Sequence, residues 1–233
     1  MNKNLSISTE RVTVKVLDEE PSNQDISFKV IIVGDSGVGK SCLTMKAIKN
    51  IFSEGHNATV GFDFFTFCTT INEDTSCKLQ IWDTCGQEAY KSLITSFYRN
   101  TSLAMMVYSI DDLNSFNNIK SWHRDLKLQS SPNVKTFLIG NKCDLEERRE
   151  VKTELAEELK KEEGFDFFIE TSAKTGFNAE NVFIKAVKEL YVDYMSYNEA
   201  SSMITSPTNV SALPIPRPSY HPPVEEKKKG CCE

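Results

Sequence analysis

Eight consecutive residues, Gly34-Asp35-Ser36-Gly37-Val38-Gly39-Lys40-Ser41, constrain this chain more than any other stretch. They match G-x-x-x-x-G-K-[ST], a loop whose backbone N–H groups close around phosphate oxygens. The apolar run 28–33 before them reads as a buried strand, and a helical segment begins near Lys40. Strand, loop and helix in that order place the loop at a helix N-terminus, where the dipole favours anions. Lys40 would reach the outer phosphates and Ser41 would ligate Mg²⁺. The plain alternative is a glycine-rich strand–helix turn that binds nothing, and the flanking elements argue against it. The motif alone implies a nucleoside triphosphate and names neither base nor purpose.

From residue 28 onward strands and helices alternate. Strand-like runs cover 28–33, 62–71, 77–82, 103–110, 136–139 and 165–170. The second and third flank Asn72-Glu73-Asp74-Thr75, which reads as a hairpin turn. Helical segments separate the others, so those strands should run parallel. Helical periodicity is visible in Phe116, Ile119, Trp122 and Leu126, in Val151, Leu155 and Leu159, and from Val182 to Tyr191. Gly164 stands where a helix C-cap belongs. The expected fold class is therefore α/β: one P-loop NTPase domain over 28–195, with a six-stranded, mostly parallel sheet, one antiparallel edge strand and flanking helices. Residues 1–27 are polar and read as a flexible extension, although Val12-Thr13-Val14-Lys15-Val16 alternates as a short strand would. Residues 196–233 are rich in Pro, Ser and Thr and read as a flexible tail.

Composition narrows the partners. A net charge of −6 gives no reason to expect nucleic acid. No apolar run approaches the ~20 residues of a membrane span. The start, Met1-Asn2-Lys3-Asn4-Leu5, has no apolar signal core, and Asn2 stands where myristoylation needs glycine. None of the seven cysteines forms a C-x-x-C pair, so zinc is not expected and reduced thiols in the cytosol are. The Asn-x-Ser/Thr triplets at Asn4, Asn57, Asn100 and Asn209 read as chance matches.

Ligands of such sheets bind beyond the carboxyl ends of the strands, where the remaining motifs fall. Asp83-Thr84-Cys85-Gly86-Gln87-Glu88 follows the third strand. Asp83 would help hold Mg²⁺, the Gly86 N–H would approach a γ-phosphate, and Gln87 would orient an attacking water. Asn141-Lys142-Cys143-Asp144 follows another strand. The Asp144 carboxylate can accept from the N1–H and exocyclic amine of guanine, a donor pair adenine lacks. Asn141 would take the other base edge and brace the loops, and Lys142 would lay its stem on the base plane. After the last strand comes Thr171-Ser172-Ala173-Lys174. There the Ala173 N–H would donate to the guanine carbonyl and Lys174 would cap the purine.

With these motifs in this order, residues 28–194 resemble the Ras-like small GTPases, and the Rab family above its relatives. The Rab-like residues are Val60-Gly61-Phe62-Asp63-Phe64, Lys78-Leu79-Gln80-Ile81-Trp82-Asp83 and Ser92-Leu93-Ile94-Thr95-Ser96-Phe97-Tyr98-Arg99. The resemblance implies a G domain and makes Thr59 the switch I threonine, its hydroxyl on Mg²⁺ and its N–H on the γ-phosphate. It puts Phe52 over the guanine and Ser36 at a Rab-type serine, and Cys42 and Ser172 complete the nucleotide-binding set. Metal ligands would be Ser41, Thr59 and Asp83; Gln87 and Lys40 would serve the chemistry. The chain departs from the pattern at Cys85, where a small alanine is usual beside the γ-phosphate. It departs again at Ala47, at Ala89-Tyr90, where Arg-Phe is usual, and at Asn100-Thr101, where Gly-Ala is usual.

The tail ends Gly230-Cys231-Cys232-Glu233, which is no C-a-a-X signal but resembles Rab substrates of double geranylgeranylation. Two chains anchor stably where one does not. The neighbouring Lys227-Lys228-Lys229 is too short a run to add much. The resemblance thus implies a monomeric switch of vesicular trafficking, cytosolic and on the cytoplasmic face of an endomembrane. It would turn GTP into GDP and phosphate on the order of 10⁻⁴–10⁻³ s⁻¹ unaided. Its partners would be an exchange factor, an activating protein, a GDP-dissociation inhibitor or escort protein, and effectors. Two other readings stay open: a guanine-nucleotide-binding module with little or no hydrolysis, which Cys85 motivates, and a metabolic P-loop kinase, for which no acceptor lid is evident. Ile94, Phe97 and Tyr98 read either as packing on the sheet, favoured for Phe97, or as an effector surface formed with the GTP-bound switches.

Overall fold

Strand β2 (Ile26–Val33) shows why this sheet is covered on both faces. Val30 and Ile32 point into one buried cluster, and Ile31 and Val33 into another. Successive side chains of a strand face opposite sides, so a run apolar at every position demands cover on both. β5 (Leu103–Ser109) repeats the pattern, with Leu103, Met105 and Val107 on one face and Ala104, Met106 and Tyr108 on the other. The computed structural model describes residues 8–53, 59, 61–86 and 97–204.

The described sheet has seven strands in the order β1-β3-β4-β2-β5-β6-β7. Here β1 is Val14–Val16, β3 Phe62–Ile71, β4 Thr75–Thr84, β6 Lys135–Asn141 and β7 Phe167–Glu170. β2 pairs in parallel with β4 and β5, and the parallel run continues through β6 and β7. β3 and β4 form the expected hairpin, Ile71 pairing with Thr75 across a three-residue loop in which Asn72 and Glu73 take left-handed φ of 49° and 70° and the Asp74 N–H donates to the Ile71 carbonyl at 3.3 Å. Helices α1 (Lys40–Lys49) and α5 (Ala179–Ile204) cover one face. Helices α2 (Leu113–Asn117), α3 (Ile119–Gln129) and α4 (Thr153–Glu163) cover the other. No described helix is long and apolar enough to cross a membrane.

The expected helical stripes need two corrections. Phe116 belongs to α2 rather than to the helix of Ile119, Trp122 and Leu126, because the chain breaks at Asn118. Leu155 is 41% exposed, while Ala156 and Leu159 are buried. Val151 precedes the first turn of α4, so it does not set that helix's phase. Gly164 does cap α4, in the left-handed conformation at φ 75°.

The seventh strand is β1, which corrects the sheet's expected six strands and shows that, within the expected extension, the stretch from Val12 to Asp25 makes contacts with the domain. β1 pairs antiparallel with the far end of β3, Val14 opposite Ile71 and Val16 opposite Thr69. Val12 is 1% exposed and joins the cluster containing Ile71 and Phe183. The Asn72 N–H donates to the Thr13 carbonyl, and the Thr13 N–H returns a bond to Asn72 Oδ1, both at 3.0 Å. Further along, Glu20 pairs with Lys78 at 2.7 Å and Asp25 accepts from the Ser76 N–H at 2.8 Å. A short, partly polar strand at this position also blunts the edge that β3 would otherwise present.

If the β1 segment folds cooperatively with the domain, Val12→Ala loses two buried methyl groups and about 1.5 kcal/mol of stability. Urea unfolding would show this as a lower midpoint at unchanged slope; an unchanged midpoint would mean that the segment is not part of the cooperative unit.

Candidate functional site

β2 is the strand from which the sheet grows in both directions, to β4 on one side and β5 on the other. The crevice beyond its carboxyl end is where an open α/β sheet binds ligands. The P-loop leaves β2 there and runs into the N-terminus of α1. Gly39 caps that helix at φ 94°, and a Cβ on it would lie 2.5 Å from Asn141 Nδ2. Only glycine meets both conditions.

A cavity of about 360 Å³ opens at this point. Ser36, Gly37, Gly39, Lys40, Ser41 and Cys42 line it from the P-loop and α1. Phe52 and Thr59 line it from the segment after α1, and Gly86 from beyond β4. Asn141, Lys142, Asp144, Ala173 and Lys174 close it from the loops after β6 and β7. Segments far apart in sequence therefore converge on one space of ligand size. Ser53, Thr84 and Leu145 also line it and were not foreseen, since each reaches the cavity as the neighbour of a motif residue. Two expected residues act differently. Val38 turns its side chain into the core and offers the site only its backbone. Ser172 donates to Asp144 Oδ1 at 2.5 Å, so it orients that carboxylate rather than lining the cavity. Gln87 lies outside the described residues, as do Ala89, Tyr90, Ile94, Cys231 and Cys232.

The three residues expected to hold a metal meet at one end. Ser41 Oγ donates to Asp83 Oδ2 and lies 2.7 Å from Thr59 Oγ1. Two hydroxyls and one carboxylate are hard oxygen donors of the kind Mg²⁺ takes, in the small number it takes from protein. The donor set therefore fits that ion.

Lys40 lies under the loop that precedes it. Its Nζ donates to the carbonyls of Gly34 and Asp35, both at 2.8 Å. Burial pushes its ammonium down to about 8, against the opposing pull of Asp83 and Asp35. Its direct partners among the described residues are these neutral carbonyls, and a buried cation so placed gains from an anionic ligand.

At the other end Asn141 joins two loops. Its Nδ2 donates to the carbonyls of Val38 at 2.8 Å and Gly39 at 3.5 Å. Its Oδ1 accepts from Thr171 Oγ1 at 3.1 Å and from the Ala173 N–H at 3.3 Å. These four bonds use the whole capacity of a carboxamide. The bracing role is therefore present, and a contact from Asn141 to a base edge would come at its expense. The Asp144 carboxylate faces the cavity mouth, and after Ser172 it retains lone pairs for two further donors.

Cys85 directly follows β4. Its side chain is 1% exposed and packs in the cluster of Ile31, Val33 and Ala104, on the side of the sheet away from α1. It is not among the cavity-lining residues, although its sulfur lies near enough to the Lys40 ammonium to favour that charge. Gly86 is the residue that touches the P-loop: a Cβ there would lie 2.2 Å from the Asp35 carbonyl carbon and 2.3 Å from the Ser36 nitrogen.

In a comparison with protein families, the model of the Ras family matches residues 29–192. That span contains every cavity-lining residue named above and leaves β1 outside.

Lys40 makes nucleotide affinity depend on pH. Bound phosphate would raise the lysine above its free value of about 8, so binding takes up a proton above that pH. GDP affinity should hold near pH 7 and then fall towards pH 9, at a limiting slope of about tenfold per pH unit. Lys40→Arg stays charged, so it should bind more weakly with a flat profile. Titration calorimetry across this range checks both, and an identical fall in the variant would remove Lys40 as the cause.

Proposed function

We propose that this chain, which belongs to the Ras family of small GTPases, is a Rab-type switch of vesicular trafficking, membrane-anchored through Cys231 and Cys232. The family supports the general part: a guanine-nucleotide switch that works with Mg²⁺ and with regulator and effector proteins. The observation that carries the chemical reading is the meeting of Ser41, Thr59 and Asp83 at the end of the cavity where Gly86 rests on the P-loop. Thr59 and Gly86 belong to the segments flanking the β3–β4 hairpin, so a γ-phosphate touching both would tie those segments to the fixed loop. Its removal would release them, which is the order–disorder form of a switch.

In the hydrolysis we assign, water attacks the γ-phosphorus and the bond to the β–γ bridging oxygen breaks, giving GDP and phosphate. Gln87 orients the water; an amide is too weak a base to take its proton unaided. The Lys40 ammonium and the N–H of Gly86 face the charge that moves onto the phosphate oxygens. Bound Mg²⁺ supplies further positive charge there, held by Ser41, Thr59 and Asp83. The alternative, a guanine-nucleotide-binding module with little or no hydrolysis, rests on Cys85, and phosphate release compared between wild type and Cys85→Ala decides between the two. Asp144, steered by Ser172, selects guanine.

The Rab-type part rests on the sequence resemblance and on an aromatic ridge. Phe62, Trp82 and Phe97 form a cluster with ring centroids 4.7–5.3 Å apart, and Phe64 packs on Trp82 at 5.2 Å. Phe62 and Phe64 are 43% and 49% exposed. Exposed contiguous aromatics mark a protein-binding face. Phe97 thus serves both readings of that region, being half-buried against the sheet and part of the ridge, whereas Tyr98 is wholly core.

Gln87→Leu should leave GDP binding intact and slow single-turnover GTP cleavage in the presence of an activating protein by about 10³-fold or more. Undiminished cleavage would remove Gln87 from the assignment. In cells, the tagged protein should label an internal membrane and become diffuse when Cys231 and Cys232 are both replaced by serine. A diffuse signal for the unaltered protein would count against membrane action while leaving the nucleotide chemistry standing.

A further inference from the structure

Asp35 is the one charged side chain of the P-loop that the phosphate chemistry does not use, and it faces away from the cavity. Its carboxylate is held by two donors from the segment that opens α3. Trp122 Nε1 donates to Oδ1 at 2.8 Å, and Asn118 Nδ2 donates to Oδ2 at 2.7 Å. Both are bonds to an ionised acceptor, the stronger class. The indole is 3% exposed and packed in the same cluster as Cys85, Ile119 and Leu126, so the donor is held in place by the core.

The backbone of the same residue faces the chemistry. The Asp35 carbonyl accepts from Lys40 Nζ at 2.8 Å. Gly86 rests against the peptide that joins Asp35 to Ser36. Asp35 thus has its side chain fixed by α3 and its main chain in contact with the two groups that meet the outer phosphates.

We propose that Trp122 and Asn118 are positioning residues for the nucleotide, acting through Asp35 to hold the P-loop open at the curvature the β-phosphate requires. A loop whose N–H groups already converge loses less freedom when an anion enters, and that saving appears as slower release. α3 is thereby mechanically joined to the phosphate site, although none of its residues lines the nucleotide cavity. The proposal rests on the guanine-nucleotide reading of the site.

The test is release of a fluorescent GDP from full-length wild type, Asn118→Ala, Trp122→Phe and the double variant, with equilibrium affinities for GDP and GMP measured alongside. GMP keeps the base and ribose contacts but lacks the β-phosphate that the loop surrounds. Trp122→Phe should release GDP about tenfold faster, as expected for one lost bond to a charged acceptor. Asn118→Ala should accelerate release in the same direction by a smaller factor, and GMP affinity should stay constant throughout. Equal release rates, or parallel losses for GMP and GDP, would overturn the positioning role. Asn118 is exposed, so its variant carries the test even if Trp122→Phe does not fold. Failure of the wild type to bind GDP at all would instead overturn the nucleotide reading.

Discussion

The amide of Asn141 joins the P-loop to the loop after β7, and most of the site depends on that junction. It is reached from β6, whose own side chains are buried on both faces of the sheet. The junction is therefore as rigid as the core beneath it. A glycine-rich loop has little stiffness of its own; it acquires a shape from what surrounds it. Here three neighbours supply that shape: Asn141 against Val38 and Gly39, Gly86 against the Asp35–Ser36 peptide, and the indole of Trp122 on the Asp35 carboxylate. Each arrives from a different element, so the loop is held between both faces of the sheet.

The same layout separates what is fixed from what can respond. Lys40, Ser41 and Asp83 are buried and anchored in α1 and β4. Thr59 and Gly86 come from segments outside the regular elements and meet the fixed groups only at their ends. Buried charges at such a place carry a standing desolvation cost, visible in the lowered Lys40, and an anionic ligand offsets it. The site is thus more favourable when filled by an anion, and Thr59 and Gly86 reach it from outside the regular elements.

Much of the fold was legible in the chain itself. The alternation of apolar runs with helical stripes marked six strands, because a strand buried on both faces leaves an uninterrupted apolar run. Residues 12–16 were visible as an alternating stretch, but their partner was not. Strand pairing joins residues distant in sequence, and the far end of β3 carries no mark that it has room for another strand. Leu155 misled for a related reason: its spacing from Val151 and Leu159 is helical, yet the helix begins after Val151. Ser53, Thr84 and Leu145 reach the cavity through chain geometry that no residue type announces.

The sequence by itself determined which residue types could do the chemistry: a glycine-rich loop ending in Lys40 and Ser41, an acid at Asp83 and a carboxylate at Asp144. Those features are local, and their residue types in that spacing have few other uses. The tertiary structure decided how the groups are spent. It turned Cys85 into the core on the face opposite Leu79 and Ile81, because the chain leaves the strand's alternation after Thr84. It gave Asn141 wholly to bracing and Ser172 to steering Asp144. It also brought Trp122, a core residue by its helical spacing, onto a P-loop side chain 87 positions away. Which hydrogen bonds a buried polar group makes depends on what the packed chain places beside it, and only the folded arrangement specifies that.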